Sequence, residues 1–186
     1  MKLSLFALKS TLATLGVATL AAFGATSVLD RPSYANDATF FCAVSNGVPV
    51  TFARTARGNI PMIRWVSNSF GNQWTPLRRC EIVAQRFQRN YDNGTLQGLK
   101  SGWLGSSPVV CAASSTDDPC TERTLLFTLQ PGSNAELTVE RILDARGLAA
   151  GRIVEQSSCQ KDCSIYVNMS TYLDNARVES DIPKKN

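Results

Sequence analysis

The chain has 186 residues, 44% of them hydrophobic and 18% charged, with six cysteines, no histidine and a net charge of +4. That length suits one domain, and the balanced composition excludes a collagenous, low-complexity or wholly disordered chain. The absence of histidine excludes every Ser/His or Cys/His catalytic pair and every imidazole metal ligand.

The first 35 residues read as an export signal. Lys2 and Lys9 flank its start, an uncharged run of twenty residues follows from Ser10 to Leu29, and Ser33-Tyr34-Ala35 puts small residues where an export peptidase cuts. Cleavage is expected after Ala35, leaving the protein exported, periplasmic or peripheral to a membrane. The alternative is an uncleaved anchor, because the run is just long enough to span a bilayer. It is mostly Ala, Thr and Gly, however, and its transfer energy is weak. No cysteine beside the cut invites lipidation, and there is no twin arginine. The mature chain from Asn36 would hold 151 residues, 16 basic and 14 acidic, so its net charge falls to +2. That is enough chain to bury a core without depending on disulfides. The domain is expected over 36–176, with 177–186 as a flexible tail.

Thr39 to Val44 alternates and is rich in β-formers, Asn46-Gly47 is a turn signal, and Val48 to Thr55 resumes the alternation, which predicts a hairpin. Ile60 to Val66, carrying Trp65, is a third strand, followed by a turn at Asn68 to Gly71. Thr75 as N-cap and Pro76 at the first helical position open the clearest helix, which ends near Tyr91 before Asn93-Gly94. At about 100° per residue, Cys80, Val83, Ala84, Phe87 and Tyr91 share one arc, and Arg78, Arg79, Arg86 and Arg89 occupy the opposite one. Gly98, Gly102 and Gly105 read as a Gly-rich loop presenting Trp103 to solvent, without the lysine or setting of a phosphate cradle. Pro108 to Ala113 and Thr124 to Gln130 are further strands. A second helix is expected from Ala135 to Arg146, with Leu137, Ile142 and Leu143 facing the core, and Ile165 to Met169 is a last strand. The fold class that results is α+β: a single compact domain with an antiparallel sheet and two main helices, stabilised by disulfides.

An even number of cysteines in an exported chain implies pairing. Six cysteines allow many pairings, and loop size favours one: Cys111 with Cys120, Cys159 with Cys163, and Cys42 with Cys80. A four-thiolate zinc site is the rival, but the spacings do not come in its short pairs. A reactive dithiol at Cys159 and Cys163 is a second rival, although redox pairs usually have two residues between them. No metal and no cofactor are expected. Ser158-Cys159-Gln160-Lys161 matches the Ser-x-x-Lys pattern of penicillin-recognising enzymes by accident, since its lysine lies inside the short cysteine loop and no Lys-Thr-Gly follows.

Four stretches carry a family resemblance: TARGNIPMIRW over 55–65, RCEIVAQRFQRNY over 79–91 leading into Asn93-Gly94-Thr95-Leu96, PVVCA over 108–112 and LLFTLQPGSN over 125–134. With the signal segment and Cys42, Cys80, Cys111 and Cys120, the chain resembles the circadian oscillating protein family of cyanobacteria over about Phe40 to Gly151. The resemblance implies an exported or peripherally membrane-associated protein and no assigned catalytic residue. Cys159 and Cys163 stand outside the family's four cysteines, which supports a separate local bridge.

Arginine marks the candidate site. Arg54, Arg57, Arg64, Arg78, Arg79, Arg86 and Arg89 face a single acid, Glu81, in the stretch they span, giving it +6 while the rest of the mature chain is −4. Guanidinium groups pair bidentately with carboxylate and phosphate, so such a face suits an anionic membrane surface, an acidic protein or an acidic polysaccharide. The plainer alternative is a solvated helix face whose arginines pair within the fold. Nucleic acid fits the charge but not an exported protein. Trp65, Trp74 and Trp103 are expected in the core or an interface, with Trp103 the most exposed. Asp117-Asp118 in a turn is poorly placed for paired-acid chemistry or calcium. Two functions follow as expectations: a non-enzymatic exported protein held peripherally on a membrane by the arginine face, or an extracytoplasmic enzyme or binding module working on an anionic substrate through arginine and carboxylate groups.

Overall fold

Asn46 and Gly47, with φ of 52° and 75°, form the two-residue turn that joins β1 (Thr39–Ser45) to β2 (Val48–Thr55) in this computed structural model. The pairing closes at Ser45↔Val48 and runs to Thr39↔Arg54, the register that two left-handed turn residues favour. β3 (Gly58–Arg64) returns antiparallel on β2, with an irregularity at Thr51/Phe52, and completes a three-stranded sheet in the order β1-β2-β3. The structure describes residues 37–139 and 165–179. The signal segment with its cut after Ala35, the second helix beyond 139 with Ile142 and Leu143, the Cys159–Cys163 bridge, the Ser-x-x-Lys match and the tail after 179 lie outside the described residues.

Helix α1 (Pro76–Asp92) starts where the cap predicts, with the Thr75 side chain accepting from the Arg78 amide at 3.3 Å. Its buried stripe is Cys80, Val83, Ala84, Phe87 and Asn90, and it packs on β1 and β2. Phe87 stacks on Phe40 at 5.3 Å, Gln88 accepts from the Phe40 amide at 2.7 Å, and the Tyr91 hydroxyl accepts from the Ala38 amide at 3.0 Å. Cys80 is bonded to Cys42, which ties the helix to the middle of β1.

The expected Gly-rich loop is a strand. β4 (Gly98–Leu104) pairs with β5 (Ser107–Ala113) along its whole length. Its glycines serve close approach rather than looping: a Cβ on Gly98 would lie 2.4 Å from the Tyr166 ring, and one on Gly102 would lie 2.6 Å from the Cys120 sulfur. β6 (Leu125–Thr128) and β7 (Tyr166–Asn168) complete a second antiparallel sheet in the order β6-β5-β4-β7, so the strands form two sheets where one was expected. Cys111 and Cys120 are bonded, closing the loop after β5.

Helix α2 is described over 135–139, and Asn134 caps it by accepting from the Leu137 amide at 2.8 Å. Leu137 is not a core residue; it is 46% exposed, while Ala135 and Val139 are buried. Residues four apart share a helix face and the residue midway between them points away, so the buried Ala135/Val139 pair turns Leu137 outward. A third helix, α3 (Met169–Asn175), follows where none was expected, capped by Asn168, whose side chain accepts from the Thr171 amide at 2.9 Å. Met169, expected to end a strand, begins this helix.

One core lies between the sheets and helices, and it draws Phe40, Ile60, Phe87, Leu99, Leu126 and Leu173 from six different elements. A small satellite cluster of Val109, Cys111 and Leu125 sits beside the second disulfide. Glu179, in the stretch read as a tail, is paired with β3 through its amide, which donates to the Asn59 carbonyl at 2.8 Å. No helix among the described residues is long and apolar enough to cross a membrane.

Candidate functional site

The seven arginines do not form one face. Arg57 donates to the carbonyls of Leu173 at 2.8 Å and Ala176 at 3.0 Å, closing the C-terminal end of α3 where orphan carbonyls collect. Arg64 pairs with Glu179 at 3.3 Å, and Glu179 also accepts from the Ser45 hydroxyl. Arg54 lies 4.6 Å over the Phe41 ring and bonds Asn59 at 3.2 Å.

The four arginines of α1 divide by position along the helix. Near its C-terminal end, Arg86 donates to the Leu126 carbonyl of edge strand β6 at 3.0 Å, and Arg89 donates to the Arg123 carbonyl at 3.0 Å. Burial pushes the Arg86 pKa below the ordinary arginine value, Arg89 adds to the shift, and Glu122 opposes it. Both groups clamp α1 to the second sheet.

Near the N-terminal end the partners are aromatic. Arg78 lies 5.4 Å over Trp74, and Arg79 is held between Trp65 at 5.1 Å and Phe70 at 4.5 Å. Arg79 Nη2 donates to the Ser67 carbonyl, while its Nε is buried without a partner. Burial alone lowers the Arg79 pKa, although a guanidinium stays charged at any physiological pH. Around this corner Val66 is 71% exposed, Trp74 44% and Leu77 46%. Trp65, by contrast, is a core residue, with its indole N–H donating to Thr51 Oγ1 at 2.9 Å and its ring edge-on to Phe127 at 5.7 Å. Trp103 is exposed, as its position suggested, on strand β4.

Beside the corner, a groove of about 600 Å³ runs between β3 and β6. Its walls include Met62, Trp65, Phe70, Phe127 and Leu129, Arg64 and Arg79 line it, and among the described residues no carboxylate does. A smaller cleft of about 340 Å³ lies at the end of α1, against Met169 and Leu173. Among the described residues no group of three or more Cys, Asp or Glu is gathered to hold a metal ion. Asp118 organises its own loop: it accepts from the amides of Ser114 at 2.7 Å and Ser115 at 3.0 Å, which hold its carboxyl below the usual range. The groove therefore offers apolar walls and a guanidinium, chemistry suited to holding an anion.

Sequence reasoning marked Arg78 and Arg79 but missed Val66, Phe70 and Leu77, and it assigned Trp74 no role beside Arg78. The available signal was spacing, since Trp74 and Arg78 are four residues apart across a helix start.

A family model described as Circadian oscillating protein COP23 matches residues 39–174. No curated protein and no solved structure matches the chain.

Proposed function

Because the chain belongs to the circadian oscillating protein family, we propose that it is an exported, non-enzymatic protein that lies peripherally on an anionic membrane surface. The observation that carries this reading is the exposed corner at the start of α1, where Trp74 and Leu77 stand out beside Arg78. An indole and an aliphatic side chain enter the headgroup boundary, and a neighbouring cation meets lipid phosphate. Arg78 makes no carbonyl or carboxylate contact through its side chain among the described residues, so its donors are available. Arg86 and Arg89 contribute field rather than contact, because they already hold backbone carbonyls. The two described disulfides accord with an oxidising compartment.

Co-sedimentation with phosphatidylglycerol vesicles tests the reading. The oxidised protein should pellet with them, should pellet far less with phosphatidylcholine vesicles, and should be released by salt as surface charges are screened within about 8–10 Å. Replacing Trp74 and Leu77 with Ser and Arg78 with Gln together should abolish pelleting. Pelleting that survives both salt and the triple substitution would sink the proposal.

A further inference from the structure

Arg79 carries a charge that the described fold leaves unbalanced. Arg64, on the same groove, shows the contrast, because Glu179 meets it at 3.3 Å. Arg79 has the Ser67 carbonyl, two aromatic rings and an unpartnered Nε. Cation–π contacts offset part of the cost of withdrawing a guanidinium from water, but they do not neutralise its charge. The groove beside it has an apolar side, with Trp65, Phe70 and Phe127, and a polar rim that includes Thr128, Gln130 and Ser133, and its volume falls within the roughly 300–1,000 Å³ of small-molecule sites.

We propose that the groove between β3 and β6 binds an amphiphilic monoanion, with a carboxylate on Arg79 and an alkyl or aryl body along Trp65, Phe70 and Phe127. The charge of the ligand follows from the lining. Among the described residues Arg64 is already matched by Glu179, so one positive charge is left for one carboxylate, and a dianionic phosphate monoester would bring one charge too many. The apolar walls require a body as well as a head, because a small anion alone would leave them wet. This site is independent of the membrane corner: it uses Arg79 and the groove, whereas the corner uses Trp74, Leu77 and Arg78.

Isothermal titration of the oxidised protein with decanoate, below its micelle concentration, tests the proposal. Saturable binding is expected, with acetate, inorganic phosphate and decanol each at least about 10-fold weaker, since each lacks either the body or the charge-assisted bond. Arg79→Gln should weaken decanoate binding at least about 10-fold, the loss expected for a charged hydrogen-bond partner. Thr138→Phe adds bulk to the groove wall on α2 while keeping Arg79 in the sequence, and should weaken it as well. Near-UV circular dichroism establishes which variants are folded, and Thr138→Phe decides the matter if Arg79→Gln does not fold. No saturable decanoate binding, decanol binding as tightly as decanoate, or an unchanged affinity in either folded variant overturns the proposal. Both variants should still pellet with anionic vesicles, and the Trp74/Leu77/Arg78 triple variant should still bind decanoate, so each reading can fail alone.

Discussion

The two ends of α1 carry two arginines each and use them in opposite ways. Arg86 and Arg89 are consumed by the fold, donating to carbonyls on and before an edge strand of the second sheet. Arg78 and Arg79 rest on aromatic rings, with one carbonyl bond between them. A cationic arc on a helical wheel is therefore not a binding face. What a face can bind depends on the donors that the fold leaves unused, and on α1 those lie at the N-terminal end.

The largest expected effect concerns how that end is fixed. Cys80 ties it covalently to β1, across a sequence separation of 38, whereas the disulfide of the second sheet spans a separation of 9. On the loop-entropy model, replacing Cys42 and Cys80 together with Ala costs about 4 kcal/mol, against about 2.5 kcal/mol for the Cys111/Cys120 pair. Urea unfolding of the two double variants measures both. The reverse order would show that α1 is held chiefly by its guanidinium clamps, and would blur the contrast between the two ends.

A smaller effect separates the ends directly. Arg86→Gln removes the donor to the Leu126 carbonyl, and because the side chain is only half-buried the loss should be about 1 to 1.5 kcal/mol, below the roughly 1.5 to 3 kcal/mol of charged hydrogen bonds in general. Arg78→Gln should change stability by less than about 0.5 kcal/mol, as exposed substitutions do. On anionic vesicles the ranking should invert, with Arg78→Gln weakening pelleting and a folded Arg86→Gln weakening it little. A variant that moved both readouts together would mean that clamp and contact are one function.

Local chemistry was legible in the sequence where it is encoded locally. Asn46-Gly47 announces its hairpin, Thr75-Pro76 announces α1, and short loops single out Cys111 with Cys120, leaving Cys42 for Cys80. β4 was missed because its glycines answer to Tyr166 and Cys120, residues distant in sequence that a scan cannot place beside them. α3 was missed because its seven residues are too few to show a helical period after a strand-like run. The roles of the arginines were hidden for a more general reason. A carboxylate partner leaves a mark in the sequence, but every residue has a carbonyl, so no pattern distinguishes Leu126 or Arg123 as the group that a guanidinium will hold.

The opposite charge provides the mildest test of the same idea. Asp118 does with a carboxylate what Arg86 does with a guanidinium, gathering backbone groups, here the amides of Ser114 and Ser115, with the Ser115 hydroxyl at 3.1 Å. These bonds favour the ionised form and lower its pKa in the folded state. A carboxyl with a depressed folded pKa contributes stability that is fully present above the unfolded value, about 3.9, and is lost as pH falls through the lower folded one. Protection of the Ser114 and Ser115 amides from hydrogen exchange should thus hold through mildly acidic pH and fall only below that unfolded value. Asp118→Ala should lack the protection at every pH. The Cys111–Cys120 bond closes the loop whatever the pH, and Arg86 and Arg89 stay charged throughout, so acid should loosen these turns while leaving β5 and the clamps on β6 in place. If instead the β6 amides lose protection in step with Ser114 and Ser115, the loop and the sheet open as one unit, and the clamps at the C-terminal end of α1 do not hold that edge by themselves.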